Sequence, residues 1–194
     1  MIVPHRGLAA SKTRLAPVLS PAERGQLAAG LLERVLRVAR EAIPDVVVIS
    51  PSAALAPLVE ATGARLTVQR GLGLNEGLEQ ARAAAVAEEV TALLVLHGDL
   101  PLLSPDDVAA RAAAVPATRG VAIAPDRAGT GTNGLGLRPA SILRFAFGTG
   151  SRAAHEAAAA EEGLPAVIVE RPGLAFDLDT PDDLERWLAR RVPA

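Results

Sequence analysis

A single lysine is the first candidate for chemistry in this chain. The sequence holds 20 lysine and arginine residues together, and Lys12 is the one lysine. It lies in a polar N-terminal loop, between a short apolar start and a long helical pattern. Lysine is a compact charge on a flexible stem that can reach a phosphate in a crowded pocket, whereas arginine is a wide planar fork. Lys12 is therefore interpreted either as a phosphate ligand or as a surface lysine spared by codon bias.

Aspartates at two places in the chain could bind a metal ion. Asp99 comes shortly after an apolar strand pattern, and Asp177 and Asp179 lie two residues apart near the C-terminus. Carboxylate oxygens are the ligands that Mg²⁺ prefers, so Asp99 is a candidate metal ligand, and a turn or capping aspartate is the alternative. In extended backbone Asp177 and Asp179 share a face and could join the same site. The alternative is that Asp179 merely precedes the helix cap Thr180.

One glycine-rich stretch, 71–77, follows a strand pattern and opens a helix. Its glycines, Gly73 among them, let the backbone approach a flat ring or a ribose closely, and Asn75 supplies both a donor and an acceptor. An ordinary turn between strand and helix is the equally open alternative. The sequence contains no GxxxxGK[ST] motif, which excludes a P-loop protein.

Two later glycine-rich stretches could bind an anion. In 129–134, consecutive backbone N–H groups and the threonine hydroxyls, including that of Thr132, could cradle a phosphate. The stretch 147–151 contains Gly148 and precedes a helical pattern for which Ser151 is the predicted N-cap. A helix N-terminus stabilises a bound phosphate, although plain capping is the alternative.

These residue types favour phosphoryl or nucleotidyl transfer. The chain has no cysteine, which excludes disulfides, thiolate zinc sites and cysteine nucleophiles. The three histidines are too dispersed for a metal trio, and only His155 is expected near a ligand. A phosphate acceptor is already ionised at neutral pH, so it needs positioning and charge neutralisation more than a general base. The lack of an evident base is then expected.

The elements that must position these residues alternate between strand and helix patterns. Strand-like apolar runs lie at 2–3, 46–49, 65–68, 92–96, 121–124 and 166–169. This alternation predicts an α/β fold with a mostly parallel central sheet and helices on both faces. Three helix starts are marked by a hydroxyl residue, a proline and a later acidic residue, at Ser20, Ser104 and Thr180.

At 194 residues the chain is long enough for one domain, 1–194, with a full core. Glycine, proline and threonine break the α/β alternation at 125–151, where only 135–137 could form a short strand. We predict that this segment is an insertion over the sheet that carries binding loops. Ligands of open α/β sheets bind outside the carboxyl ends of the strands, which selects 4–20, 69–75, 97–103 and 125–151.

Composition excludes several classes of partner. The formal net charge is −2 and the arginines are scattered, so there is no electrostatic footprint for duplex nucleic acid. Three phenylalanines, one tryptophan and no tyrosine leave few stacking platforms for single strands. No apolar run approaches the roughly 20 residues that cross a bilayer, and the N-terminus lacks a signal pattern. We expect a soluble, cytoplasmic protein without nucleic-acid or membrane partners, and a homodimer stays open.

In their order along the chain, these motifs resemble the 2-phospho-L-lactate / phosphoenolpyruvate guanylyltransferase family of deazaflavin coenzyme F-420 biosynthesis. The resemblance is carried by KTRL at 12–15, GLN at 73–75, GDLPLL at 98–103, GTGTN at 129–133, FGTGS at 147–151 and DLDTP at 177–181. It implies a GT-A-like nucleotidyltransferase fold. It also implies transfer of GMP from GTP to the phosphate of a small three-carbon acid, with release of diphosphate.

The resemblance further implies roles for individual residues. Two basic residues would hold the GTP phosphates and serve catalysis together with Asp99: Lys12 and Arg14. The guanosine would contact the glycine loop at Gly73 and Asn75. Magnesium would be bound by three carboxylates: Asp99, Asp177 and Asp179. The phosphate and carboxylate of the acceptor, bound by the insertion at about 125–151, would contact Thr132, Gly148 and Ser151.

Several alternatives remain open at this point. The acceptor could be phosphoenolpyruvate, 2-phospho-L-lactate or 3-phosphoglycerate, and the high-GC composition leans toward phosphoenolpyruvate. A molybdopterin or sugar-phosphate nucleotidyltransferase of the same fold would carry a glycine pair in its first loop, which 4–15 lacks. A non-catalytic nucleotide-binding relative would tolerate loss of the acidic ligands. The chain departs from the Pro-Val-Lys typical of the family, because it reads Pro4-His5-Arg6.

Overall fold

Seven strands form one sheet in the computed structural model, which describes residues 1–190. The strands are β1 (Ile2–Pro4), β2 (Val47–Ser50), β3 (Arg65–Val68), β4 (Leu93–Leu96), β5 (Gly120–Pro125), β6 (Thr132–Arg138) and β7 (Ala166–Ile168). Their order is β3-β2-β1-β4-β6-β5-β7, and β6 runs antiparallel to both neighbours while the other pairs are parallel. The predicted α/β class with a mostly parallel sheet is confirmed.

Helices lie between the strands, and three of them begin at the predicted caps. The α-helices are α1 (Pro21–Ala42), α2 (Ala56–Glu60), α3 (Leu74–Ala87), α4 (Pro105–Ala114), α5 (Ser151–Glu161), α6 (Pro172–Ala175) and α7 (Pro181–Ala189). Ser20, Ser104 and Thr180 each accept a hydrogen bond from a backbone N–H of the first turn, which satisfies a donor that the helix leaves free. Within residues 1–190, none of the helices combines the length and apolar character needed to span a membrane.

Successive residues of a strand face opposite layers of the core. Ile2 of β1 and Val95 of β4 belong to the apolar cluster that contains Leu78 of α3. Val3, the neighbour of Ile2, belongs instead to the cluster that contains Leu36 of α1. This alternation follows from the period of two in a strand, and it confirms helices on both faces of the sheet.

A smaller apolar cluster joins the two polar segments that matter most for the site. Leu15 and Leu178 are fully buried at 0 % exposure and pack with Leu31 of α1. Leu15 follows the loop of Lys12, and Leu178 stands between two of the predicted metal ligands. The apolar contact therefore fixes two segments that are distant in sequence against the same helix.

The interpretation of 125–151 as one insertion over the sheet is corrected by β6, which the sequence analysis limited to 135–137. β6 begins at Thr132 and lies between β4 and β5 in the middle of the sheet. Its glycines are buried because neighbours approach the backbone: a Cβ on Gly136 would lie 2.5 Å from Val115 Cγ2, and one on Gly134 would lie 2.5 Å from Arg111 Nε. The glycines mark close packing in a strand, not a loop.

Gly136→Ala is expected to destabilise the protein. The added methyl group meets the side chains of Val115 and Leu94 in a filled core, and overpacking of this kind costs about 1–3 kcal/mol in the free energy of unfolding. Urea unfolding followed by circular dichroism measures the change. Gly30→Ala is the matched control, because a Cβ at this α1 position meets no other described residue within 4 Å beyond the adjacent backbone of its own helix, and helix propensity favours alanine by about 0.8–1.0 kcal/mol. Equal stability of the two variants would contradict the packing argument.

Candidate active site

The carboxyl ends of the parallel strands open into a cavity of about 610 Å³. His5 follows β1, Pro51 follows β2, Gln69 follows β3 and Asp99 follows β4, and all four line the cavity together with Lys12. This is the edge of the sheet at which open α/β folds bind ligands. The volume lies within the range of about 300–1,000 Å³ that is typical of small-molecule sites.

Lys12 joins two carboxylates from distant parts of the chain. Its Nζ donates hydrogen bonds to Asp99 Oδ2 at 2.7 Å and to Asp179 Oδ1 at 2.9 Å. The Lys12 side chain is only 5 % exposed, so its ammonium is shielded from water, whereas the side chains of Asp99 and Asp179 are 25 % and 39 % exposed. Its backbone adopts φ 55° and ψ 37°, a left-handed conformation that is uncommon outside glycine. The loop thus holds this lysine in a strained conformation at the centre of the candidate site.

The ion pairs set the charge states of the residues that form them. Burial alone would lower the pKa of Lys12, but the two nearby carboxylates outweigh burial and raise it. Burial alone would raise the pKa of Asp99, but the Lys12 ammonium outweighs burial and lowers it. Lys12 is therefore cationic and Asp99 anionic at neutral pH.

Asp177 adds a third carboxylate beside this pair. Burial raises the pKa of Asp177, and the negative charges of Asp99 and Asp179 raise it further, while a hydrogen bond from Asn133 opposes them. Asp99 Oδ1 is buried and has no hydrogen-bond partner within the described part of the chain, 1–190. Repelling carboxylates with an unsatisfied buried oxygen are a donor set that fits a divalent cation.

The described residues do not form a complete metal cage by themselves. Within residues 1–190, no group of three histidine, cysteine, aspartate or glutamate side chains is arranged to hold a metal ion. Mg²⁺ usually takes only one or two carboxylates and completes its octahedron with water and substrate phosphates. The residues therefore fit a magnesium ion that shares its ligands with a nucleotide, and magnesium binding stays a prediction.

Two arginines stand at the cavity beside Lys12. Arg14 and Arg6 both line it. The Arg14 side chain is 74 % exposed, and its Nη1 lies 3.9 Å from Asp179 Oδ2, which is a long and solvated ion pair. The guanidinium of Arg14 is thus open to solvent at the cavity, and its contact with a nucleotide phosphate stays a prediction.

Two histidines that the sequence patterns do not single out, His5 and His97, line the cavity, whereas only His155 is predicted near a ligand. His5 Nδ1 accepts a hydrogen bond from the backbone N–H of Gly7 at 3.0 Å, and burial lowers the pKa of His5 to about 4. His97 Nε2 is buried without a hydrogen-bond partner among the residues that the structure describes, and the His97 ring lies 5.5 Å from the ring of Phe147. Each histidine directly follows a strand, at the edge where the site forms, and that position is the signal that identifies them.

The amide of Asn75 binds backbone instead of facing open space. Asn75 Nδ2 donates to the carbonyl of Phe147 at 3.0 Å, and the backbone N–H of Phe147 donates to Asn75 Oδ1 at 2.9 Å. Gly73, the N-cap of α3, does line the cavity. In this arrangement Asn75 fastens the start of α3 to the loop that precedes α5, and its contact with a nucleotide stays a prediction.

Asn75→Ala is expected to loosen the loop around Phe147. It removes two hydrogen bonds worth about 0.5–1.5 kcal/mol each, so backbone hydrogen exchange of 145–150 rises at least about tenfold without any ligand. Mass spectrometry of peptides measures this exchange. Gln80→Ala is the matched control, because Gln80 lies on the same helix but bonds to the backbone of Val68 and Arg70. Unchanged exchange in Asn75→Ala, with a raised KM for nucleotide, would show instead that Asn75 is a nucleotide ligand.

Thr132 and His155 form a buried pair behind the site. Thr132 Oγ1 lies 3.2 Å from His155 Nδ1, and the backbone N–H of Ala146 donates to His155 Nε2 at 3.1 Å. Since Nε2 accepts, Nδ1 carries the proton and donates it to Thr132. Burial lowers the pKa of His155 to about 4, which keeps the ring neutral. His155, at 0 % exposure, supports the loop that contains Ala146.

The predicted N-cap of α5 is wrong by one residue. Gly150, in the left-handed region with φ 72°, is the N-cap, and Ser151 is the first helical residue at 2 % exposure. Glycine takes this backbone conformation without the steric cost that a serine would carry. Among the described residues, neither Ser151 nor Thr132 nor Gly148 lines the 610 Å³ cavity, and their contact with an acceptor stays a prediction.

Known proteins are similar to this chain in sequence along nearly its whole length. Residues 1–189 match the family model described as "Guanylyl transferase CofC like". The phosphoenolpyruvate guanylyltransferase of Sphaerobacter thermophilus is 42 % identical over 194 residues, which cover 99 % of this chain and 93 % of the relative. The phosphoenolpyruvate guanylyltransferase of Rubrobacter xylanophilus is 42 % identical over 186 residues, with 95 % and 91 % covered. The matched region includes every segment that forms the cavity.

Solved structures of low sequence identity share the fold. A nucleotidyl transferase from Methanothermobacter thermautotroptrophicus superposes with a TM-score of 0.71 at 18 % identity, covering 97 % of this chain and 95 % of that one. A cytidylyltransferase from Leptospira borgpetersenii gives a TM-score of 0.63 at 10 % identity, covering 99 % and 87 %. At these identities the likeness shows a nucleotidyltransferase fold and nothing finer.

Proposed function

The chain belongs to the family of CofC-like guanylyl transferases, and we propose that it transfers GMP from GTP to the phosphate of phosphoenolpyruvate, releasing diphosphate. The names of the relatives support this acceptor over 2-phospho-L-lactate and 3-phosphoglycerate. We further propose that the product serves deazaflavin coenzyme F-420 biosynthesis in the cytoplasm.

The observation that carries this proposal is the position of Lys12 between Asp99 and Asp179 at the cavity. The arrangement provides a shielded cation, clustered carboxylates and enough space for a ligand at one edge of the sheet. Those are the parts that nucleotidyl transfer needs, since its main demands are positioning and neutralisation of phosphate charge. A binding module would need the space but not the unsatisfied buried carboxylate oxygen of Asp99.

In the proposed reaction, an oxygen of the acceptor phosphate attacks the α-phosphorus of GTP. A new P–O bond forms there, and the bond from the α-phosphorus to the oxygen that bridges to the β-phosphate breaks. Diphosphate leaves with that electron pair. The attacking oxygen is already ionised at neutral pH, so no side chain has to remove a proton. This suits a site whose histidine His5 is neutral at neutral pH because burial lowers its pKa to about 4.

The chain's own residues would bring two anions together. Lys12 and Arg14 would bind the GTP phosphates and reduce their repulsion of the acceptor. One or two of the carboxylates of Asp99, Asp177 and Asp179 would hold Mg²⁺, together with water and nucleotide phosphates. The bound ion supplies charge neutralisation at the α-phosphate. Arg14 keeps most of its surface in solvent and can adjust to the nucleotide as it binds.

The test is diphosphate release from each nucleoside triphosphate paired with each acceptor. The purified chain is incubated with Mg²⁺ and with phosphoenolpyruvate, 2-phospho-L-lactate, 3-phosphoglycerate or a sugar phosphate, and mass spectrometry identifies the product. We expect release with GTP and phosphoenolpyruvate. No diphosphate release in any pair would overturn the proposal in favour of a non-catalytic relative. Turnover of a sugar phosphate alone would show that the enzyme uses another class of acceptor.

A further inference from the structure

Lys12 binds the oxygens that a divalent cation would use. Its Nζ lies 2.7 Å from Asp99 Oδ2 and 2.9 Å from Asp179 Oδ1, which together are called the carboxylate pair here. Mg²⁺ binds carboxylate oxygens at about 2.0–2.1 Å and needs a nearly ideal octahedron around it. An ammonium group between the same two oxygens stands inside that octahedron, so the two cations exclude each other there.

We propose that Lys12 and the divalent cation bind in turn at the carboxylate pair, and that binding of the metal releases Lys12 toward the nucleotide phosphates. The inference rests on the proposed function and deepens it, because it gives one lysine two positions in a single reaction cycle. The ammonium would hold the two carboxylates together before the metal arrives. Metal binding would then prepare the phosphate site at the same moment.

The side chain can make this move while the fold stays in place. Lys12 has a flexible four-carbon stem, and it already lines the cavity. Leu15 is fully buried three residues further along and anchors the loop to α1 through Leu31. Rotation of the Lys12 stem therefore carries the ammonium into the cavity without moving the anchored backbone.

Charge balance favours the exchange. Lys12 brings a single positive charge to a region with three carboxylates, Asp99, Asp177 and Asp179, whereas a divalent cation brings two. The released ammonium would join Arg6 and Arg14, which also line the cavity. A triphosphate would then meet three basic side chains instead of two.

The competing arrangement leaves Lys12 in place. Among residues 1–190, Asp99 Oδ1 has no hydrogen-bond partner, and the ion-pair partner of Asp179 Oδ2 is the distant Arg14 at 3.9 Å. A metal bound to these outer oxygens would spare both hydrogen bonds of Lys12. The two arrangements predict opposite exposures of one amine, and that difference can be measured without any substrate.

The experiment uses the fact that the chain has one lysine. The wild-type protein is treated with formaldehyde and cyanoborohydride, with and without MgCl₂, and mass spectrometry follows dimethylation of the peptide that contains Lys12. Peptide analysis separates Lys12 from the N-terminal amine. We expect Mg²⁺ alone to accelerate labelling of Lys12 at least about tenfold, since the amine reacts only after both charge-assisted hydrogen bonds open.

Three controls isolate the exchange. NaCl at equal ionic strength tests whether simple screening frees the amine. Asp179→Asn removes the negative charge of one partner, which weakens its hydrogen bond from Lys12, and is expected to raise labelling without metal. Asp106→Asn removes an exposed carboxylate of α4 outside the cavity and is expected to behave as the wild type. Circular dichroism confirms that each variant is folded.

The outcomes separate this inference from the proposed function. Unchanged or slower labelling in Mg²⁺, with calorimetry showing that Mg²⁺ binds, would overturn the exchange even if GMP transfer is active. Calorimetry that detects no Mg²⁺ binding to the protein alone would overturn it as well. Faster labelling in a protein that transfers no GMP would support the exchange and contradict only the proposed function.

Discussion

Asp99→Asn is expected to lower turnover of GTP and phosphoenolpyruvate at least about 100-fold, because removal of one group that stabilises transition-state charge typically costs about 10²–10³ in kcat. Asparagine has nearly the same shape as aspartate but carries no charge. The substitution weakens the hydrogen bond from Lys12 Nζ, which is 2.7 Å long, and removes the anionic oxygen that would bind the metal. Both effects act on the reacting phosphates. Diphosphate release at saturating substrates and Mg²⁺ measures the loss.

Asp106→Asn is the matched control for Asp99→Asn. It makes the same chemical change a few residues away, at an exposed position in the first turn of α4. We expect wild-type turnover there and a melting temperature close to that of the wild type. Asp99→Asn leaves Lys12 with Asp179 as its partner, so a folded variant is expected, and circular dichroism checks this. Wild-type turnover in folded Asp99→Asn would falsify the metal role of Asp99.

Elements whose signals are local could be predicted from the sequence. Ser20, Ser104 and Thr180 start helices because each side chain satisfies a backbone donor of the turn that follows it. The apolar runs of the buried strands also predict strands correctly, because a strand between two helical layers must be apolar on both faces. Sequence neighbours decide these features, and distant contacts change them little.

The edge of the sheet at which the cavity forms could also be predicted. Lys12 and Asp99 are separated by 87 residues, yet both lie beyond the carboxyl end of a strand. Parallel strands end at one edge of the sheet, so residues that follow different strands come together there. The same rule identifies His5 and His97, although their spacing in the sequence does not predict a metal site.

The glycines of β6 and the role of Asn75 could not be predicted, because long-range packing decides both. Gly134 lies outside the short strand predicted at 135–137 and is interpreted as a loop residue until Arg111 is seen against it. Gly136 lies inside that predicted strand, but nothing in the sequence indicates its close contact with Val115. Asn75 reads as a ligand because its amide offers a donor and an acceptor, and only the fold shows that the backbone of Phe147 takes both. The hydrogen-bond partner of a polar side chain near a site is the group that the fold brings within bonding distance, and sequence spacing does not reveal that group.

Lys12→Arg is expected to reduce kcat/KM for GTP about 100-fold while the protein stays folded. The Lys12 side chain is 5 % exposed and its compact ammonium fits between Asp99 and Asp179. A guanidinium keeps the charge but is wide and planar, so it cannot occupy that space and then reach a phosphate in the same way. Misplacement of a charged group by about 1 Å can cost about 10²-fold in rate. Steady-state kinetics with varied GTP measures the loss.

Arg37→Lys is the reverse substitution at an exposed position and serves as the control. Arg37 is 58 % exposed on α1 and pairs with Glu33 one turn away, so we expect unchanged turnover and a stability change within about 0.5 kcal/mol. Near-normal activity in Lys12→Arg would show that the site needs only a positive charge there. The lone lysine would then reflect composition alone. A large loss in Lys12→Arg beside an unaffected Arg37→Lys would tie the lysine to its shape, because the two variants exchange the same residue types in opposite directions.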